Sequence, residues 1–128
     1  CGHILGVLTN KADHIAKLII PHFFPGMFDA IQGEKPELPR KPDPEAMMII
    51  LRTLAPLAGL DPADQASMLS QATLVGDSEA DIQTATRAGV RAVGVAWGYR
   101  HPDDLVAAGA ATIATDAEHL RGLLLGGA

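Results

Sequence analysis

The chain has 128 residues, 48% hydrophobic and 4% aromatic, and a formal net charge of -5. That length suits one modest domain spanning residues 1–128, with a core built from Leu, Ile, Val and Ala instead of aromatic rings. An acidic surface without clustered Lys and Arg excludes nucleic acid as the main partner, and no apolar run is long enough to span a bilayer. The single cysteine, Cys1, cannot close an internal disulfide, and the first residues lack a basic, apolar leader, so a reduced cytoplasmic setting is expected.

The chain starts without Met and enters the apolar run Ile4-Leu5-Gly6-Val7-Leu8 almost at once, so Cys1 is expected to be a cut or processed end. Residues 4–8 read as a buried strand and 11–20 as a helix, with Asn10 as its cap and Pro21 as its stop. Residues 28–31 suggest a second strand. The polar stretch from Gly33 to Pro42 holds three prolines and reads as a loop. Asp43-Pro44-Glu45 then opens a helix that Pro56 should end, and Gly59 and Asp61-Pro62 mark a turn and a further short helix. Residues 72–75 form a third strand, Ser78 to Ala88 a helix stopped by Gly89, and 91–96 a fourth strand. Pro102 to Ala108 is helical, 111–113 a last edge strand, and Thr115-Asp116-Ala117-Glu118 a capping box for the final helix. Short apolar runs alternating with helical patterns are the βαβ signature of a parallel sheet, so the fold class is α/β with three layers.

Ligands of open parallel sheets bind outside the carboxyl ends of the strands. Three features fall there. Thr9-Asn10-Lys11 follows the first strand and brings a hydroxyl, an amide and helix-start N–H groups together; it suits an anion, or plain helix capping. Lys41, before the Pro-stiffened helix start, is a compact charge suited to phosphate, or a solvated surface lysine. In Gly76-Asp77-Ser78-Glu79-Ala80-Asp81, two carboxylates four residues apart face one crevice, enough for Mg²⁺ with waters. The alternative, Ser78 capping with Asp81 reaching back, explains Asp81 but not Asp77 at the end of an apolar strand. The scattered histidines (3, 14, 22, 101, 119) lack ligand spacing, so no zinc site is expected, and Met47 and Met48 read as core filler.

In order and wording, Leu-Thr-Asn-Lys, then Lys-Pro-Asp-Pro, then Gly-Asp-Ser-Glu-Ala-Asp resembles the second, third and fourth motifs of the haloacid dehalogenase superfamily, most of all its phosphoglycolate phosphatase branch. Val93-Gly94-Val95 followed by Trp97-Gly98-Tyr99 adds to the likeness. The resemblance implies a Rossmann-like core and Mg²⁺-dependent hydrolysis of a small phosphorylated metabolite, phosphoglycolate first. It implies that Thr9 and the backbone at Asn10 bind the transferring phosphoryl group and that Lys41 neutralises its charge. Asp77 would bind Mg²⁺, and Asp81 would hold a metal-bound water or orient Lys41. Ser78, Trp97 and Tyr99 are further candidates for touching substrate; the alternative for their loop is plain packing with a solvated Arg100.

The superfamily's nucleophile, in an Asp-x-Asp-Gly-Thr segment ending the first strand, has no counterpart in the chain. In the family that strand is central, between the strands read here at 4–8 and 72–75, and a cap domain follows it. The core is therefore expected to be incomplete, the parent protein longer at its N-terminus, and the 128-residue chain inactive alone. Open strand edges invite self-association. Rivals are another branch, such as a sugar-phosphate mutase or a dehalogenase, or a non-catalytic binding domain on the same fold. The Asp77/Asp81 pair argues against the dehalogenase, which needs no metal.

Overall fold

The computed structural model describes residues 3–98 and 100–125. Among these described residues, five strands and six α-helices follow in chain order: β1 (Gly6–Ala12), α1 (Asp13–Phe23), β2 (Ala30–Glu34), α2 (Glu45–Leu54), α3 (Gln65–Ser70), β3 (Thr73–Gly76), α4 (Glu79–Ala88), β4 (Arg91–Val95), α5 (Pro102–Ala108), β5 (Thr112–Ala114) and α6 (Ala117–Leu125). All strand pairs are parallel, but they form two sheets, β1-β2 and β3-β4-β5.

The three-stranded sheet shows why the sequence reads as layered. β4 is its middle strand and is buried from Ala92 to Val95, so its sequence is apolar without alternation. Ala92 joins a core with Ile82 and Ala85 of α4, Leu105 of α5 and Met47 of α2. Val93 and Val95 pack instead with Ala114, Leu120 and Leu123. Successive side chains of a strand point to opposite faces, so helices cover the sheet on both.

The two sheets do not pair with each other. Between them lies a cleft of about 680 Å³, lined by Leu5, Gly6 and Leu8 from the β1 side and by Thr73, Leu74 and Val75 of β3. Met47, Ile50 and Leu51 of α2 also line it. α2 packs against β1, α3 and α4, which fixes the two halves about this gap. β3 remains half exposed, with Val75 at 40%, though its residues are those of a buried strand.

Several boundaries differ from the sequence expectation. The first strand does not end at residue 8. After Gly6↔Ala30, Val7↔Ile31 and Leu8↔Gln32, the next pair is Ala12↔Glu34, so β1 carries two more residues than β2 in between. Thr9, Asn10 and Lys11 form this irregularity, and α1 starts after Ala12 without a side-chain cap. Asn10 is therefore not the cap. Pro21 lies inside α1, in its last turn. It removes one donor near an end, while Phe24 N–H still reaches Ile20 O at 2.8 Å.

The second strand lies at Ala30–Glu34, not 28–31. Asp29 leads into it, exchanging bonds with Leu5 through Asp29 N–H to Leu5 O (2.7 Å) and Leu5 N–H to Asp29 Oδ2 (2.9 Å). Asp43 does serve the start of α2, accepting the Glu45 N–H at 2.9 Å. At α6 the capping pair is Asp116 with His119: His119 N–H donates to Asp116 Oδ1 (2.7 Å) and Thr115 N–H to His119 Nδ1 (3.0 Å). Thr115 and Glu118 are not the box. The Gly89 stop of α4 forms as expected, at φ 80, with Gly89 N–H to Thr86 O and Val90 N–H to Ala85 O.

Candidate active site

The carboxyl ends of β1 and β3 carry the polar groups singled out in the sequence. β3 ends at Gly76, Asp77 follows, and Ser78 caps α4 by accepting the Asp81 N–H at 3.2 Å. Asp81 is thereby set in the first turn of α4, where a negative charge also suits the helix dipole. Its approach to the strand depends on Gly76, because a Cβ there would stand 2.4 Å from Asp81 Cβ.

Both carboxylate oxygens of Asp81 are engaged. Oδ1 lies 2.5 Å from Lys41 Nζ, and Oδ2 accepts the Asp77 N–H at 3.3 Å. Lys41 comes from the loop before α2, forty residues away in sequence, and its side chain is 11% exposed against 15% for Asp81. Lys41 is therefore no solvated surface lysine. In so dry a setting the ion pair is screened far less than a surface pair.

Thr9, Asn10 and Lys41 together line a small cavity of about 10 Å³, roughly room for one water. Gly33, Glu34, Lys35 and Arg40 also line it, with Arg40 Nε 3.1 Å from Glu34 Oε1. Lys41 thus connects the two strand ends: it borders the Thr9 cavity on one side and holds Asp81, and through it Asp77, on the other. Thr9 Oγ1 accepts the Lys11 N–H at 3.2 Å, and Asn10 is exposed.

The irregular stretch of β1 that carries Thr9 runs into Asp13, the first residue of α1. Asp13 is buried and accepts the Gly33 N–H at 2.9 Å. Burial, the largest influence, pushes its carboxyl pKa up. The Lys17 hydrogen bond, the Gly33 N–H and the charges of Lys17 and Lys35 together outweigh it and hold the pKa below the usual value. Gly33 is needed at this contact, because a Cβ would stand 2.5 Å from Asp13 Cα and 2.6 Å from Lys11 O.

Of the other candidates, Ser78 has its hydroxyl committed to capping, and Trp97 is half exposed on the loop after β4, which borders Asp77 through Gly98. Tyr99 lies outside the described residues. Two partners were not among the site candidates: Arg100, whose Nε lies 3.4 Å from Glu79 Oε1, and Asp13. Neither stands in a motif, and only three-dimensional proximity shows its role. Among the described residues no three His, Cys, Asp or Glu side chains converge as a ready metal cage. No helix among them is long and apolar enough to cross a membrane.

The lysine–carboxylate pair thus lies at the carboxyl ends of a parallel α/β core, where such folds bind their ligands. Residues 38–121 match the HAD-hydrolase-like family, and the chain belongs to it. It is 31% identical over 126 residues to the phosphoglycolate phosphatase of Pseudomonas putida, covering 98% of this chain and 41% of that protein. The phosphoglycolate phosphatase of Xanthomonas campestris pv. campestris is 31% identical over 104 residues, 80% of this chain and 42% of that one. The crystal structure of a "putative phosphoglycolate phosphatase" from Lactobacillus delbrueckii subsp. bulgaricus superposes with a TM-score of 0.81 at 32% identity, over 96% of this chain and 47% of that one. The chain thus spans less than half the length of each of these relatives and carries a partial core of their fold.

Proposed function

We infer that the chain is part of an enzyme that hydrolyses a small phosphate monoester with Mg²⁺, phosphoglycolate being the leading candidate, in the cytoplasm. The observation that carries this reading is the Lys41–Asp81–Asp77 relay at the strand ends, beside the cavity that Thr9 lines. A lysine ammonium held in a fixed direction neutralises a transferring phosphoryl group, and the Thr9 hydroxyl and Asn10 backbone add donors to its oxygens. Phosphoryl transfer needs mainly this positioning and charge stabilisation.

Mg²⁺ fits the residues present. It binds through one or two carboxylates and keeps several waters, so the absence of a three-ligand cage among the described residues is no obstacle. Asp77 is the protein carboxylate that would hold it, and the bound ion would offset charge on the phosphate. Asp81 has both oxygens occupied within the protein, which favours orienting Lys41 over holding the metal.

The nucleophile is an aspartate on a further strand. The cleft between β1 and β3 offers two unpaired parallel edges with an apolar floor, which suits one buried strand. A strand there would end level with Thr9 and Asp77. The relatives' greater length leaves ample chain to supply it.

The test is a phosphate-ester panel, with and without Mg²⁺, on a longer protein that contains this chain together with the missing strand. Metal-dependent turnover should be highest on phosphoglycolate, and Asp77→Ala should lower it by about 10²-fold or more. Turnover per folded molecule that survives Asp77→Ala unchanged would count against the reading.

A further inference from the structure

The loop after β4 borders Asp77 at Gly98. A Cβ built on Gly98 would stand 2.2 Å from Asp77 Cβ, 2.9 Å from its Oδ2 and 3.0 Å from its Cγ. Gly98 is not one of the glycines at positive φ, so its own backbone would accept alanine. What excludes a side chain at 98 is Asp77 itself.

Both sides of this contact are anchored. Ala96 N–H donates to Ala114 O at 2.9 Å, and Arg100 N–H donates to Asp77 O at 3.2 Å. The Arg100 guanidinium reaches back to Glu79 on α4 at 3.4 Å. On the other side, the Asp77 N–H is held by Asp81. The clash would fall on Asp77 Cβ, next to the main chain, not on the far end of a flexible side chain. An added methyl must therefore shift either the Asp77 carboxylate or the tethered loop.

We propose that Gly98 is a positioning residue: the bare backbone at 98, clasped by Arg100, is the wall that sets the direction of the Asp77 carboxylate and so the strength with which it holds a divalent cation. The cation half of this rests on Asp77 as a metal ligand; the contact of 98 with 77 stands without it. A glycine kept only for loop flexibility would show no dependence on Asp77.

The experiment is a double-mutant cycle read by thermal unfolding of the 128-residue chain, joined to calorimetric titration with Mn²⁺. Gly98→Ala should lower the unfolding midpoint in the wild-type background and leave it unchanged in Asp77→Gly, where the opposing Cβ is gone. It should weaken Mn²⁺ binding by about 10- to 100-fold, the range for losing a partner that orients a metal ligand. Arg100→Ala, which removes the guanidinium's tie to Glu79 and keeps the main-chain bond from the 100 N–H to Asp77 O, should fold and weaken Mn²⁺ binding in the same direction, by less. An equal drop in midpoint in both backgrounds overturns the proposal, as does Mn²⁺ affinity untouched by Gly98→Ala or Arg100→Ala but lost in Asp77→Asn. Mn²⁺ binding indifferent to Asp77→Asn as well sinks the metal role of Asp77 instead, and the cation half of the proposal with it.

Discussion

Asp81 has both carboxylate oxygens engaged, Oδ1 by Lys41 Nζ and Oδ2 by the Asp77 N–H. Its spacing from Asp77 is visible in the sequence, and so is its place in the first turn of a helix. Its partnership with Lys41 entered only through the family likeness, because the two lie forty positions apart and the packing of α2 on α4 brings them together. That pair makes a stability prediction. Asp81→Asn should cost about 1.5–3 kcal/mol, the range for a lost hydrogen bond to a charged group. The double variant with Lys41→Met should cost less than the sum of the singles, since it no longer strands one charge. Urea unfolding of the four forms measures both quantities; strict additivity would show that the pair is not coupled.

Asp13 adds a pH dependence with a definite sign. Its folded pKa lies below the ordinary value, so folding favours the carboxylate. The stabilisation is therefore fully present above the unfolded pKa, near pH 4, and is lost as pH falls through the folded value. Asp13→Asn keeps an acceptor for Gly33 N–H and removes only the charge. Wild type should exceed this variant in stability at pH 7, and the gap should close as pH drops below about 4. A gap that is the same at pH 7 and pH 3 in urea titrations would contradict the assignment.

At the scale of elements, helix and strand identity followed from period and punctuation, and the helix stops at Pro56 and Gly89 fell where the residues put them. The misses in β1 and β2 share one cause. Thr9 to Lys11 and Gln32 to Glu34 are polar, and local pattern reads polar stretches as loop or cap. In the fold they extend β1 and β2, because the pairing resumes at Ala12↔Glu34 and Asp13 satisfies the Gly33 N–H from the neighbouring helix. Gly33 is the hinge of that arrangement. Gly33→Ala would drive a methyl into main-chain atoms that cannot rotate away, costing at least the upper end of the roughly 1–3 kcal/mol typical of overpacking. Gly122→Ala in α6 meets nothing within 4 Å and should stabilise by about 0.5–1 kcal/mol, as glycine to alanine does inside a helix. Chemical denaturation of the two variants checks the contrast, and equal effects would show that the tight contact at 33 carries no cost.

For the whole molecule, the parallel α/β class was readable from the alternation of apolar runs with helical patterns. The division into two sheets was not readable from periodicity; it entered only through the family likeness, which places a central strand where the structure has a cleft. The physical content of the site is that β1 and β3, though unpaired, present their carboxyl ends to one region, with Lys41 reaching across. The most direct measurement is a phosphate titration of the isotopically labelled 128-residue chain in the presence of Mg²⁺, followed by NMR at Thr9, Lys41 and Asp77. A single phosphate site predicts that all three respond along one binding curve and that Lys41→Ala abolishes the response at the other two. Separate curves, or a shift at one residue with silence at the others, would contradict it.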